Sequence, residues 1–214
     1  MKETKTNFLR LAIDSNVLQF GEFTLKSGRK SPYFFNAGLF NTGKAIAQLG
    51  RHYADTIVSS NIEFDMLFGP AYKGITLASA TASALSDKYD IDKPFAFNRK
   101  ESKAHGEGGC VVGANLKGKV LIIDDVITAG TAVREAYELI ISEGASVAGL
   151  VISMDRQERG KSKNSATNEL EQELNSPVMS IASLEDLIFF IKDDENLKSH
   201  LPNLIEYHSK YSSL

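Results

Sequence analysis

The stretch Val120-Leu-Ile-Ile-Asp-Asp-Val-Ile-Thr-Ala-Gly-Thr-Ala132 contains the clearest structural pattern in this chain. Residues 120–123 have the length and β-branched content of a buried strand, and residues 132–141 have the composition of a helix. Residues 128–131 therefore form a strand-to-helix turn. Free backbone N–H groups at the start of a helix bind phosphate well, and two threonine hydroxyls add further donors. The stretch predicts a turn built to hold an anion.

Two adjacent carboxylates, Asp124 and Asp125, come directly before this turn. They would repel a bare phosphate, so they need hydrogen-bond donors or a cation beside them. The diol of a ribose supplies donors, and a magnesium ion on the same ligand supplies charge. The motif as a whole therefore indicates a ribose 5-phosphate. An alternative stays open for each of these residues taken alone. The aspartates could be turn or cap residues, and the threonines could simply begin a helix.

Short apolar segments alternate with helical ones along most of the chain. Continuous apolar strands separated by helices predict an α/β fold with a central, mostly parallel sheet covered on both faces. Ligands of such sheets bind beyond the carboxyl ends of the strands. The predicted strands are 66–68, 95–97, 120–123, 147–153 and 178–181, and the predicted helical segments are 8–13, 42–58, 74–87, 132–143 and 184–192.

Composition excludes several functional classes. The chain has 214 residues, of which 43% are hydrophobic and 24% charged, as expected for one globular domain. A net charge of -3 gives no general attraction to nucleic acid. No apolar run approaches the roughly 20 residues that cross a bilayer, and no secretory signal is evident. The single cysteine, Cys110, suits a reducing cytoplasm and is expected to be a small buried side chain. We expect a cytoplasmic protein with neither nucleic acid nor membrane as partner.

A basic segment follows the predicted strand 95–97. It contains Arg99, Lys100, Lys103 and His105 within one turn-rich stretch, followed by glycines at 106, 108 and 109. Glycines give the backbone freedom, and the cations would follow an anion. A lone basic run is more often a solvated loop, so composition alone leaves both interpretations open.

Residues 120–132 resemble the ribose-phosphate signature of the type I phosphoribosyltransferases, which use phosphoribosyl pyrophosphate (PRPP). Five further segments, 24–29, 31–36, 69–74, 98–106 and 154–159, resemble the bacterial orotate phosphoribosyltransferases. The resemblance implies the type I fold, a single domain over 1–214 with a core at about 64–182, and a small hood over the base site. The N-terminal segment and the parts after strand ends would form that hood. It also implies Mg²⁺ carried mainly by PRPP, and a homodimer in which a loop of one subunit covers the partner's site.

The same resemblance assigns residue roles. Lys103, Asp125 and Lys26 would be catalytic. Arg156, at the end of strand 147–153, would hold the orotate carboxylate, and its guanidinium suits a planar carboxylate bound bidentately. No residue is expected to bind the metal directly, although Asp124 and Asp125 could lie near it. PRPP would contact Lys26, Tyr72, Lys73, Arg99, Lys100, Lys103, His105, Asp124, Asp125, Val126, Ile127, Thr128, Ala129, Gly130, Thr131 and Ala132, and orotate would contact Phe34, Phe35, Thr128 and Arg156.

Other interpretations remain for some of these residues. Phe34 and Phe35 could be plain core, as paired aromatics often are, and Tyr72 could be packed in a tight turn. For the whole chain, the rivals are a phosphoribosyltransferase for another base and a ligand-sensing regulator of the same fold. The histidines at 52, 200 and 208 are expected to be surface or packing residues.

Overall fold

A six-stranded sheet with helices on both faces forms the body of the protein. The computed structural model describes residues 3–25, 27–103, 109–128, 130–160 and 162–212. For residues 101–103 and 109 it describes the backbone. The helices are α1 (Glu3–Asp14), α2 (Gly43–Ser60), α3 (Lys73–Tyr89), α4 (Thr131–Ser142), α5 (Ala166–Leu174), α6 (Leu184–Lys192) and α7 (Leu201–Tyr211). The strands are β1 (Leu18–Thr24), β2 (Lys30–Phe35), β3 (Met66–Gly69), β4 (Phe95–Lys103), β5 (Gly109–Gly113), β6 (Lys119–Asp124), β7 (Ser146–Asp155) and β8 (Val178–Ser183).

The large sheet has the order β5-β4-β3-β6-β7-β8. All neighbours pair in parallel except β4 and β5, which pair antiparallel. The mostly parallel α/β prediction is confirmed. The prediction of a turn-rich loop from Arg99 onward is wrong for residues 99–103, because β4 continues through Lys103 and its backbone pairs with Gly109 on β5. Charged residues suit a strand near the sheet edge, where they discourage pairing with other chains.

The central strands β3, β6 and β7 are mostly apolar because the sheet is buried on both faces. Along β6, Leu121 and Ile123 belong to one buried cluster, whereas Val120 and Ile122 belong to the other. Helices α1, α2, α3, α6 and α7 contribute to the first cluster, and α4 and α5 contribute to the second. A strand with two buried faces cannot show the polar alternation of a half-exposed one.

Strands β1 and β2 form a separate antiparallel hairpin. In β2, Tyr33 and Phe35 point inward, with 0% and 6% of their surface exposed, whereas Phe34 is 37% exposed. The Arg29 guanidinium lies 3.1 Å from the Glu158 carboxylate, just beyond the end of β7. The hairpin therefore lies near the carboxyl end of β7, where a ligand of a parallel sheet would bind.

The remaining expectations concern single residues. Cys110 is only half-buried on β5, so the prediction of a fully buried cysteine is wrong. The three histidines do pack or lie at the surface: His52 lies edge-on to Phe8, His200 stacks on Phe20, and His208 is within 4.0 Å of Glu185. Within the described ranges, no helix is long and apolar enough to cross a membrane.

Candidate active site

Two strand-to-helix turns meet at the carboxyl edge of the sheet. Strands β3 and β6 are paired neighbours, so the turn that follows β3 lies beside the turn that follows β6. A hydrogen-bonded ion pair joins them: Lys73 Nζ lies 2.6 Å from Asp125 Oδ2. The sheet topology thus brings together two segments that are about 50 residues apart in sequence, as expected from the closing of a parallel sheet.

The first turn, from Gly69 to Gly74, is closed too tightly for side chains at either end. A Cβ on Gly69 would lie 2.0 Å from the Gly74 carbonyl oxygen, and one on Gly74 would lie 2.7 Å from the Gly69 carbonyl carbon. The Ala71 N–H donates to Asn98 Oδ1 at 2.8 Å, and the Ala71–Tyr72 peptide bond is cis. The turn therefore fixes the place where α3 begins.

Tyr72 projects outward from this turn. Its side chain is 69% exposed, so the alternative of a packed tyrosine is wrong. The ammonium group of Lys100, on neighbouring β4, lies 5.0 Å from the centre of the Tyr72 ring. The half-exposed ammonium of Lys73 follows directly in sequence. One face of the edge thus carries two cations and an aromatic ring.

The acidic pair is buried. Asp124 is 9% exposed and Asp125 is 6% exposed, and the Asp125 N–H donates to Asp124 Oδ1 at 2.9 Å. Burial, reinforced by the neighbouring Asp125 carboxylate, raises the pKa of Asp124 to about 7. Two ionised carboxylates here are therefore costly unless a ligand supplies donors or positive charge.

The backbone of this pair is fixed from two other elements. The hydroxyl of Tyr53, on α2, donates to the Asp124 carbonyl at 2.7 Å. Ser153, on β7, donates its hydroxyl and its N–H to the Asp125 carbonyl, at 2.7 and 2.9 Å. β3 pairs with β6 only as far as Ile122, so Tyr53 satisfies a carbonyl beyond the end of that pairing. Such bonds hold the carboxylates in one position before any ligand arrives.

The two helices that follow the turns of the site, α3 and α4, have no side-chain cap. The first turns of α2, α5 and α6 are capped by Thr42, Ser165 and Ser183, whereas α3 and α4 have no such bond. Helix α7 also lacks one, but it starts with a proline directly after a 3₁₀ turn. The uncapped N–H groups of α4 are free to donate to an anion.

The turn before α4 presents small and polar groups. Gly130 has φ 71°, in the left-handed region that favours glycine. Thr128, Thr131 and Ala132 are exposed beside it, whereas the side chain of Ile127 is 8% exposed and packs in the core. Ile127 could therefore meet a ligand only through its backbone. The predicted strand-to-helix turn is confirmed, and its binding of an anion stays a prediction.

Arg156 follows β7 and is held on several sides. Its Nε donates to Glu158 Oε1 at 2.7 Å, and its Nη2 lies 3.1 Å from Ser31 Oγ and 3.2 Å from the Tyr207 hydroxyl. The guanidinium carbon lies 4.3 Å from the centre of the Tyr33 ring. With these partners in place, Glu158 occupies the Nε–Nη2 edge and the two hydroxyls occupy the remaining side of Nη2, so the expected bidentate contact would require the release of Glu158 or of the hydroxyls.

The predicted aromatic contacts with the base separate into two kinds. Phe35 is buried, with its ring centre 6.3 Å from that of Phe8, so any contact with a ligand would go through its backbone. Phe34 is partly exposed and stacks on Phe23, with ring centres 5.4 Å apart. Of these two phenylalanines, Phe34 is the one with a ring partly exposed to solvent.

Some predicted site residues lie outside the described residues, namely Lys26, His105 and Ala129. For Lys103 the structure describes the backbone, which lies on β4. On the same strand Arg99 is half-buried and Lys100 is exposed. Val126 is half-buried and packs against the core.

Several residues that hold the site were not predicted. Asn98 stood at the start of a segment already singled out, beside a strand end, and that position could have drawn attention to it. Tyr53, Ser153, Glu158 and Tyr207 carried no local signal, because each acts on a residue distant in sequence or through a side-chain network.

The acidic pair is the part of the site that could lie near a metal ion. Among the described residues, no group of three or more His, Cys, Asp or Glu side chains could hold one. In the part of the chain that the structure describes, Asp124 and Asp125 are the buried carboxylates, and Lys73 already pairs with Asp125. Mg²⁺ prefers one or two carboxylates together with substrate phosphates and water. The donor set therefore fits Mg²⁺ bound mainly by a phosphorylated ligand.

Comparison with known proteins agrees with this geometry. The model of the phosphoribosyl transferase domain family matches residues 38–178. The orotate phosphoribosyltransferase of Pseudomonas syringae pv. tomato is 60% identical over 211 residues, covering 99% of both chains, and that of Pseudomonas aeruginosa is 56% identical with the same coverage. The crystal structure of the Francisella tularensis orotate phosphoribosyltransferase is similar with a TM-score of 0.86 and 47% identity, over 97% of this chain and 100% of that one.

The matched family model covers most of the sheet and both turns, and the relatives match over almost the whole length. The chain therefore belongs to the orotate phosphoribosyltransferase family of type I phosphoribosyltransferases.

Proposed function

We propose that this chain transfers ribose 5-phosphate from PRPP to orotate, forming orotidine 5'-monophosphate and pyrophosphate in pyrimidine biosynthesis. The observation that carries the proposal is the buried pair Asp124–Asp125, placed between the Lys73 ammonium and the uncapped start of α4. This edge offers carboxylates, a cation and free N–H groups side by side. PRPP presents a diol, a pyrophosphate and a phosphate that match those groups.

The cosubstrate would lie across both turns. Its 5'-phosphate would accept from the N–H groups of residues 128–132 and from the Thr128 and Thr131 hydroxyls. Its ribose hydroxyls would donate to Asp124 and Asp125. Its pyrophosphate would lie toward the other turn, near Tyr72 and Lys73, with the remaining predicted cations Lys26, Arg99, Lys100, Lys103 and His105.

The reaction would proceed by exchange of the group bound to the first ribose carbon. A ring nitrogen of orotate forms the new bond to that carbon as the bond to pyrophosphate breaks, through an oxocarbenium-like state. Orotate can bind with this nitrogen already deprotonated, so no strong base is required of the protein. The protein aligns the two substrates and stabilises charge on the leaving group, with Lys103 as the main proposed donor. Mg²⁺ bound with PRPP neutralises part of that leaving-group charge.

Choice of base would rest on the residues near the hairpin. Arg156 supplies a positive charge for the carboxylate that distinguishes orotate from uracil, while Phe34, the Phe35 backbone and Thr128 would line the remaining surface. Arg156→Ala should therefore weaken orotate binding far more than PRPP binding. Removal of a charge-assisted pair costs on the order of 1.5–3 kcal/mol.

We also propose that the protein is a cytoplasmic homodimer. In the family that the sequence resembles, residues corresponding to the segment 99–109 cover the site of the partner subunit. In this chain the segment is basic, and β4 runs through its first residues toward the same sheet edge as the acidic pair. A shared site would bring its cations to the pyrophosphate of the neighbouring subunit.

The proposal is tested by mixing the protein with PRPP, Mg²⁺ and one base at a time, and following the absorbance of the base. We expect turnover with orotate and none with adenine, guanine or hypoxanthine. Turnover with a purine, or no reaction with orotate while the protein is folded by circular dichroism, would overturn the assignment.

A further inference from the structure

A charged network surrounds Arg156 where β7 ends, below the β1–β2 hairpin. Arg156 is 8% exposed, and four groups contact its guanidinium: the Glu158 carboxylate, the Ser31 and Tyr207 hydroxyls, and the Tyr33 ring. They come from β2, from the segment after β7 and from α7. A side chain with this many contacts keeps one orientation.

Tyr207 and Glu158 are themselves bonded. The Tyr207 hydroxyl donates to Glu158 Oε1 at 2.5 Å while it accepts from Arg156 Nη2. Burial, together with the bond to Glu158, raises the pKa of Tyr207 to about 12, so this proton remains in place at neutral pH. Its ring is fixed edge-on against Tyr33, with centres 6.0 Å apart.

The charged contacts of the network share one carboxylate. Glu158 is shared between Arg156 and Arg29, so two guanidinium groups face one carboxylate. The carboxylate of Asp155, which precedes Arg156, accepts from the Gln157 N–H and the Thr167 hydroxyl instead. Among the described contacts, Glu158 is therefore the carboxylate bonded to the Arg156 guanidinium, and it is shared with a second guanidinium.

One donor group of Arg156 also remains. Nε and Nη2 are occupied, whereas Nη1 has no hydrogen-bond partner among the described residues. Among the described residues, the fully buried side-chain polar atoms without a hydrogen-bond partner are Tyr33 Oη and His52 Nδ1. Arg156 Nη1 is not one of them, so it keeps some exposure to solvent. The partners of Arg156 thus occupy Nε and Nη2 and leave Nη1 open to a ligand.

We propose that Tyr207 and Glu158 are positioning residues that aim Arg156 Nη1 at the carboxylate of the acceptor base, and so set the preference for orotate over a base without a carboxylate. The proposal rests on the proposed function, in which Arg156 meets that carboxylate. Tyr207 and Glu158 touch no substrate and act through Arg156. The C-terminal helix α7 thereby contributes to base choice, although it lies outside the matched family model.

The competing explanation is structural: the network would only fasten α7 and the hairpin to the sheet. The two explanations differ in what they change. A structural role predicts a lower melting temperature together with parallel losses for both substrates. A positioning role predicts a loss confined to orotate, and one that disappears when Arg156 is absent.

The test is a double-mutant cycle on Tyr207→Phe and Arg156→Ala, with kcat and KM measured for each substrate. Tyr207→Phe keeps the ring and removes only the hydroxyl. We expect it to raise the KM for orotate about tenfold, as for the loss of one bond to a charged group. The KM for PRPP and kcat should stay within about twofold, and the ratio of kcat/KM for orotate over uracil should fall. In the Arg156→Ala background, Tyr207→Phe should change none of these values further.

Two further variants complete the design. Tyr89→Phe removes a hydroxyl that donates to Asp55 at the far end of α3, and it should leave base preference unchanged. Ser31→Ala removes the other hydroxyl bonded to Nη2 and should act as Tyr207→Phe does, which provides the test if Tyr207→Phe does not fold. An unchanged orotate KM in both variants, or the same rise with and without Arg156, would overturn the positioning role. If Arg156→Ala itself leaves orotate binding unchanged, the proposed contact with the base is what fails.

Discussion

Lys73 and Asp125 join the two turns of the site, with Nζ and Oδ2 2.6 Å apart. Lys73 begins α3, and Asp125 follows β6, so the pair ties the proposed pyrophosphate end of the site to its ribose end. The Asp125 side chain is 9% exposed, whereas that of Lys73 is 48% exposed. The carboxylate is therefore fixed, and the ammonium can still reach a ligand.

Replacement of Lys73 tests this division. Lys73→Ala should raise the KM for PRPP about tenfold or more, because it removes a charge-assisted donor from the pyrophosphate end. The KM for orotate should change little. A matched control is Lys119→Ala, which breaks an exposed ion pair with Glu63 at the start of β6, away from the site. Equal losses for both substrates, or for both variants, would contradict the assignment.

The pKa of Asp124 makes a prediction about stability. An acid whose pKa is higher in the folded chain holds its proton more tightly when folded. Ionised Asp124 therefore weakens folding increasingly as pH rises from its ordinary pKa of 3.8 to about 7. Asp124→Asn removes that penalty, so it should raise the melting temperature more at about pH 8 than at about pH 5. A gain that is constant across this range would show that the pKa of Asp124 is not raised.

The Tyr53 hydroxyl gives a prediction about the acidic pair. Tyr53→Phe removes the bond to the Asp124 carbonyl but keeps a ring that is 0% exposed. We expect unfolding to become easier by about 1 kcal/mol and the KM for PRPP to rise, with the KM for orotate unaltered. Thermal melts and initial rates on the same preparation would check both. A stability loss with unchanged PRPP kinetics would limit Tyr53 to a packing role.

Hybrid dimers test the proposal of shared sites. Lys103→Ala and Asp125→Asn should each be nearly inactive alone. When equal amounts exchange subunits, about half of the dimers become hybrids. In each hybrid one site carries both lesions and the other carries none, so about a quarter of all sites should be intact. If hybrids are confirmed by mass and no activity returns, the segment 99–109 and the acidic pair that serve one site belong to the same chain.

The sheet and the strand-to-helix turn after β6 could be predicted from sequence because each depends on local pattern. Apolar strands such as β6 are continuous since both faces are buried, and the turn after β6 shows its small and hydroxyl residues in order. The antiparallel edge was missed because β4 continues through charged residues that are typical of a loop. Its pairing with β5 depends on contact between segments, which a local pattern does not record.

The surroundings of Arg156 could not be predicted for a similar reason. Its position after a strand indicated a guanidinium at the sheet edge, and the structure places it there. Its partners Ser31 and Tyr207 are 125 and 51 residues away in sequence. Which edge of the guanidinium stays open is decided by those distant hydroxyls and by Glu158, so the bidentate contact could not be judged from the Arg156 segment alone.

Phosphoribosyl transfer to orotate is proposed to take place at the Asp125 edge of the sheet. The most direct measurement is ³¹P NMR of PRPP, Mg²⁺ and orotate with the wild-type protein and, in parallel, with folded Asp125→Asn. The wild type should convert PRPP into equal amounts of pyrophosphate and a nucleoside monophosphate, only when orotate is present, and the variant should do so at least about 100-fold more slowly. Pyrophosphate release without orotate, or equal rates in the two proteins, would contradict the claim.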